Sequence, residues 1–173
     1  MEAQKYNKYH AIQPLFTIFV TMKRILFVCL GNICRSPMAE AMMKHYVKMA
    51  GKRLEFEIAS AAVSDEEWMN PIYPQAARTL RSHGISYDPD RTARQMSAAD
   101  YEHYDLIVAM DKSNVRGILR IAGYDDPEGK VRLLLDFAGL HRDVADPWYT
   151  RDFETAYRDI ETGCRALCRE LGV

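Results

Sequence analysis

The chain has 173 residues, 48% of them hydrophobic and 27% charged, with a formal net charge of −1. That length is one ordinary domain with room for a proper core, and a near-neutral balance without a long Lys/Arg block gives no electrostatic footprint for nucleic acid. No stretch reaches the roughly 18 apolar residues of a membrane span, and four cysteines, few and unevenly placed, do not make a disulfide framework.

Residues 1–21 stand apart. The first ten are polar, and residues 11–20 are apolar but interrupted by Pro14. A short hydrophobic run after Lys5 and Lys8 has the beginnings of a signal peptide, yet no small-x-small cleavage site follows. The expectation is an N-terminal extension upstream of the true start at Met22, dispensable to a domain spanning residues 22–173.

Residues 25–28, Ile-Leu-Phe-Val, have the length and composition of a buried parallel strand. The run breaks at Gly31-Asn32, residue types that tolerate left-handed backbone. It restarts as a helix, with Ser36 expected as N-cap and Pro37 as the first helical residue. Met38, Met42, His45 and Met49 are spaced along one face of that helix, which Gly51 stops. Residues 56–60 alternate like a second strand, residues 65–74 form a loop, and residues 75–83 a second helix ended by Gly84. Residues 87–94 read as irregular. A third strand is expected over 106–109, a helix over 111–122 and a fourth strand over 131–134. A loop carrying Asp143, Asp146 and Pro147 leads into a last amphipathic helix from Phe153 to Leu171. Strand and helix alternate throughout. The expected fold is a single-domain α/β three-layer sandwich, a central four-stranded parallel sheet with helices on both faces. Its crevice belongs beyond the carboxyl ends of the strands, where Cys29 lies.

The stretch from Cys29 to Arg35 carries chemistry. Strand, tight loop and helix N-terminus converge backbone N–H groups and a helix dipole on one point, an anion site. Thiols in such settings titrate between about 3.5 and about 7.5, against about 8.5 for a free cysteine, so Cys29 is expected ionised near neutral pH. Arg35 offers a planar fork for two oxygens of a phosphate. A nucleophile on the floor of a phosphate cradle points to phosphoryl transfer through a cysteinyl-phosphate.

The run Val28-Cys29-Leu30-Gly31-Asn32-Ile33-Cys34-Arg35-Ser36-Pro37 resembles the phosphate loop of the low-molecular-weight protein tyrosine phosphatases, in a bacterial-type member. The resemblance continues through Ser60-Ala61-Ala62, Ala93-Arg94-Gln95, Met110-Asp111-Lys112-Ser113-Asn114 and Asp146-Pro147-Trp148-Tyr149, and so covers nearly all of residues 23–173. It implies Cys29 as nucleophile, Arg35 as phosphate clamp and Asp146 as general acid and then base. It implies a phosphate-binding loop of Leu30, Gly31, Asn32, Ile33, Cys34 and Ser36, with Asn32 tied to Ser36 and Ser60. From local sequence alone, Asp146-Pro147 reads as an ordinary turn. Cys34 reads equally as a small buried hydrophobe or, by the resemblance, as a resolving thiol for oxidised Cys29. Trp148 and Tyr149 read as a wall for an aromatic substrate or as loop anchors.

Two positions depart from the family pattern. Glu66 stands where the opposite wall of the pocket usually carries an aromatic, with Trp68 two residues on. Arg91 stands where many relatives have a loop-supporting histidine, and an Arg91–Asp111 ion pair is expected to do that work. The implied partners are phosphotyrosine proteins, among them a bacterial tyrosine kinase, with no cofactor and no metal. A reactive thiol implies a reducing compartment, the cytoplasm.

Other readings are weaker. Arsenate reductases of this fold need a relay of further cysteines, and Ala109 ends the third strand. Phosphoarginine phosphatases carry Thr at the position of Ile33. A non-catalytic phosphate-binding module has no use for Cys29, Arg35 and Asp146 together. A zinc site on Cys29, Cys34, Cys164 and Cys168 would quench the nucleophile, so Cys164 and Cys168 read as core.

Overall fold

The computed structural model describes residues 21–123 and 125–173, so most of the expected N-terminal extension lies outside the described residues. Four strands, β1 (Lys23–Cys29), β2 (Phe56–Ala62), β3 (Leu106–Ala109) and β4 (Val131–Leu133), form one parallel sheet in the order β2-β1-β3-β4. Parallel neighbours need crossovers, supplied by α1 (Arg35–Met49), α2 (Pro74–Ser82), α3 (Ala98–His103) and α4 (Lys112–Ala122), while α5 (Pro147–Thr150) and α6 (Phe153–Leu171) follow the last strand.

Both faces of β1 are covered, which is why its sequence is a continuous apolar run. Ile25, Phe27 and Cys29 pack with side chains of α1, α2 and α6, whereas Leu26 and Val28 pack with Tyr101, Ile118 and Ala122 of α3 and α4. Leu26, Phe27 and Val28 are fully buried, each burial stabilising by roughly 1.5–3 kcal/mol. The three-layer arrangement is the expected one.

Several local expectations need correction. Helix α1 begins at Arg35, so Ser36 and Pro37 lie inside its first turn; Cys34 is the N-cap residue, and no side chain caps it. Met49 is 73% exposed, and Met43 takes its place in the core. Gly31 does not adopt a left-handed conformation; Asn32 does, with φ 56°. Gly31 is needed for space, because a Cβ there would lie 2.9 Å from Glu67 Cγ. Helix α3 interrupts a stretch left without structure, and α5 a stretch read as loop. The first is fixed by a capping box, in which Ser97 accepts from the Asp100 amide and Asp100 from the Ser97 amide.

Candidate active site

Strand β1 delivers Cys29 to the carboxyl end of the sheet, and the loop to α1 folds back over its sulfur. The Asn32 amide donates to Cys29 Sγ at 3.3 Å, and Ser36 Oγ lies 3.0 Å from the same sulfur. Asn32 is the hub of the loop and fully buried. Its side-chain amide nitrogen donates to Ser36 Oγ at 2.9 Å and to Ser60 Oγ at 2.8 Å. Its Oδ1 accepts from Arg91 Nη2 at 2.6 Å and from the Arg94 amide at 3.2 Å. Every polar atom of this side chain is used, which holds the residue in its left-handed conformation. Ser60 in turn donates to Glu40 Oε2 at 2.5 Å. Glu40 was missed as a site residue: with Lys44 one turn on, it reads from the sequence as a surface ion pair.

Arg35 is buried, its side chain only 4% exposed, and two carboxylates bracket it. Nη1 bonds Asp111 Oδ2 at 2.7 Å and Nη2 lies 2.6 Å from Asp146 Oδ2. Burial works against its charge, but Cys29, Asp146 and Asp111 outweigh it and hold the guanidinium above the usual arginine range. Asp111 also caps α4, accepting from Ser113 Oγ and the Asn114 amide. Burial would raise its carboxyl; Ser113, Arg35 and Asn114 together hold it below the ordinary range.

The expected Arg91–Asp111 ion pair is therefore absent among the described residues. Arg91 instead grips the loop itself, at Asn32 Oδ1 and, 3.1 Å away, the Asn32 carbonyl. Asp111 is occupied by Arg35, which approaches it from the loop side. Burial lowers the Arg91 pKa, against the opposing pull of Glu40 and Cys29.

Asp146 caps α5, its Oδ1 accepting from the Trp148 amide at 3.0 Å. The loop that carries it is tied to α6 by Asp159, which takes two bonds from Arg142, at 2.8 and 2.6 Å, and one from the Ala145 amide at 3.0 Å. Asp159 was also missed, having no local motif.

These groups close a pocket of about 120 Å³ with Cys29 and Arg35 on its floor and Asp146 at its rim. Leu30, Gly31, Ile33 and Cys34 line it, together with Glu66, Glu67, Trp148 and Tyr149. Trp148 is 44% exposed and packs edge-on against Tyr73, 5.6 Å between centroids. Tyr149 is more open still. Ser60, Arg91 and Asp111 lie behind the loop or beside Arg35 rather than in the pocket. Trp68 is exposed and does not line it.

All four cysteines are free and buried. Burial pushes the Cys34 thiol up to about 12, helped by the nearby Cys29 and Asp146. Cys164 and Cys168 pack against Ala39 and Met43 in the core. Among the described residues, no three His, Cys, Asp or Glu side chains are grouped to hold a metal.

A cysteine sulfur under converging N–H and hydroxyl groups, beside a bracketed arginine and a rim carboxyl, is equipped to take a phosphoryl group. The family model for low molecular weight phosphotyrosine protein phosphatase matches residues 24–173. The chain belongs to this family. Among its relatives is the low molecular weight protein-tyrosine-phosphatase YfkJ of Bacillus subtilis, 38% identical over 152 residues, covering 87% of this chain and 96% of that one. The crystal structure of YfkJ superposes with a TM-score of 0.83 at 37% identity, over 88% of this chain and 96% of that one. The human low molecular weight phosphotyrosine protein phosphatase is 36% identical over 149 residues, 84% of this chain and 93% of its own. A Drosophila arginine phosphatase shares the fold at a TM-score of 0.79 and 30% identity, over 88% of this chain and 99% of that one. Members of the family act through a cysteine nucleophile.

Proposed function

We propose that residues 22–173 are a phosphotyrosine phosphatase domain in which Cys29 is the nucleophile, Arg35 the phosphate clamp and Asp146 the general acid and base. The observation that carries this reading is the pair of contacts on Cys29 Sγ, from the Asn32 amide at 3.3 Å and Ser36 Oγ at 3.0 Å. The Asn32 N–H, and the Ser36 hydroxyl when it turns its proton toward the sulfur, can stabilise charge on the sulfur as it attacks and as it leaves. The thiolate attacks phosphorus while Arg35 holds two phosphoryl oxygens. A phosphate there takes over the N–H that Arg35 gives Asp146, freeing that carboxyl for the leaving oxygen. The P–O bond breaks, its electron pair goes to the phenolic oxygen, and Asp146 supplies the proton. Asp146 then takes a proton from water, whose oxygen attacks phosphorus, and the P–S bond breaks to return the thiolate.

Trp148 and Tyr149 suit a flat aromatic ring. Ile33, non-polar and in the pocket wall, suits phosphotyrosine over phosphoarginine. Phosphotyrosine proteins are then the partners, a bacterial tyrosine kinase among them. A reactive thiol calls for a reducing compartment, the cytoplasm, and no helix of the described residues is long and apolar enough to cross a membrane.

The deciding experiment is turnover of phosphotyrosine, phosphoserine and phosphoarginine peptides side by side, with Cys29→Ser as control. The expected result is strong preference for phosphotyrosine and a variant that binds vanadate but does not turn over. Substantial turnover by Cys29→Ser would sink the cysteinyl-phosphate mechanism, and preference for phosphoarginine the substrate assignment.

A further inference from the structure

Beside the pocket of Cys29 lies a larger cavity of about 580 Å³. The two are adjacent: Leu30, Arg35, Asp146 and Tyr149 line both. Their remaining linings differ: two carboxylates in the smaller, and Lys112 and Arg116 with Asp111 and Asp143 in the larger. Glu66 and Glu67 face the smaller pocket, and Glu67 is fixed there by the Asn70 side-chain amide at 2.6 Å. Lys112 and Arg116, one turn apart on α4, face the larger cavity.

Three carboxylates share that cavity with Arg35, Lys112 and Arg116, but none of them forms an ion pair with Lys112 or Arg116. Asp111 is engaged by Arg35, Ser113 and the Asn114 amide. Asp146 is engaged by Arg35 and the Trp148 amide. Asp143 accepts from the backbone N–H of Lys112 at 3.1 Å, not from its ammonium. Among the described residues, the exposed side chains of Lys112 and Arg116 have no ion-pair partner. Arg142, by contrast, is committed to Asp159.

A peptide whose phosphotyrosine sits over Cys29 has Glu66 and Glu67 in the lining of that pocket and the unpaired Lys112 and Arg116 in the lining of the neighbouring one. We propose that Lys112 and Arg116 form a docking subsite for an acidic side chain on one flank of the substrate phosphotyrosine, while Glu66 and Glu67 disfavour an acid on the other. The inference rests on the phosphotyrosine reading above and adds its sequence preference. An exposed anion–cation pair is weak, so two cations acting on one carboxylate should change kcat/KM by about threefold to tenfold. Such a contact is made before and during chemistry alike, so the change belongs mainly in KM.

The test compares phosphotyrosine peptides with Asp, Ser or Lys placed on the N-terminal or the C-terminal flank, at low and at high salt. One flank should favour Asp over Ser by about threefold to tenfold, through KM, and the gap should close at roughly 0.5 M salt. On that flank phosphoserine, the other anionic source, should gain more than Asp because it carries about twice the charge. In K112E/R116E the preference should invert toward Lys. The milder K112S/R116S should bring the Asp-to-Ser ratio close to one, and its melting curve checks that the fold is retained. Equal turnover of all wild-type peptides would overturn the docking subsite and leave the phosphatase reading standing. An Asp preference that survives both double variants would do the same. A wild type that cleaves none of the peptides would overturn both.

Discussion

The guanidinium of Arg91 clasps Asn32 at two oxygens, Oδ1 at 2.6 Å and the main-chain carbonyl at 3.1 Å. Asn32 is the residue in left-handed backbone that turns the loop beneath Cys29, so Arg91 acts on the site through the shape of the loop. An arginine stays charged through any pH at which the protein is folded. Replacing Arg91 by Ala should remove a charge-assisted donor from a fully buried amide, costing about 1–3 kcal/mol of stability and lowering kcat. The Arg91→His variant should add a new step to the pH–rate profile near histidine's ordinary value of about 6.5, with activity higher on the acid side, where the ring is a charged donor. Rate profiles of the two proteins that overlay from about pH 5 to about 8 would contradict this role.

Asp146 is tested by its leaving group. Phenoxide from tyrosine, with a pKa of about 10, needs a proton far more than an activated nitro-aryl oxide does. Asp146→Ala should slow phosphotyrosine cleavage by about 10²- to 10⁴-fold and cost much less on the activated ester. Since Asp146 also caps α5, a loss of about 1 kcal/mol in stability is expected beside the kinetic effect. Equal loss on both substrates would leave only the capping role.

The four thiols should differ in reactivity. Burial pushes Cys34 up to about 12 and Cys168 up to about 11, and it raises Cys164 well above the ordinary thiol. These three stay protonated, and so unreactive, until strongly alkaline pH. Iodoacetate near pH 7, drawn as an anion toward Arg35, should label Cys29 alone, with inorganic phosphate protecting it. Peptide mapping that finds Cys34 labelled at a comparable rate would count against this order.

Much of this architecture can be read from residues alone. The apolar run before Cys29, the break at Gly31-Asn32 and the helix after it are local features, as are the methyl-rich strands and the final amphipathic helix. The other contacts depend on a third dimension. Arg91 and Asp111 have complementary charges, but charge alone does not say that Arg35 reaches Asp111 first. Glu40 looks like half of a helical surface pair until Ser60 is brought to it by strand β2. Helix α3 does have a local signal, Ser97 three residues before Asp100, but its six residues are too few to show a helical period.

Asp159 provides a test of the loop that carries Asp146. Burial alone would raise its carboxyl, but the Arg142 and Ala145 donors outweigh that and hold it below the usual range. The stabilisation is therefore complete above the ordinary aspartate value of about 3.9 and is lost as pH falls through the lower folded-state value. Melting temperature should drop below about pH 4, and less steeply in Asp159→Asn. At neutral pH that variant should lose about 1.5–3 kcal/mol, with kcat on phosphotyrosine falling as the loop loosens. Unchanged kcat would separate this anchor from catalysis.

Strand β1 has partners on both sides, β2 along its whole length from Lys23 to Cys29 and β3 from Ile25 to Val28. The buried amides from Ile25 to Val28 can meet solvent only when the sheet comes apart, so their deuterium exchange should proceed at the rate of global unfolding. The nucleophile at the end of that strand inherits this protection. Many enzymes lose activity on heating before they lose their fold, because their reactive groups ride on mobile loops. Here the sulfur and its cradle should hold together until the sheet fails, and inactivation should follow the melting curve instead of running ahead of it.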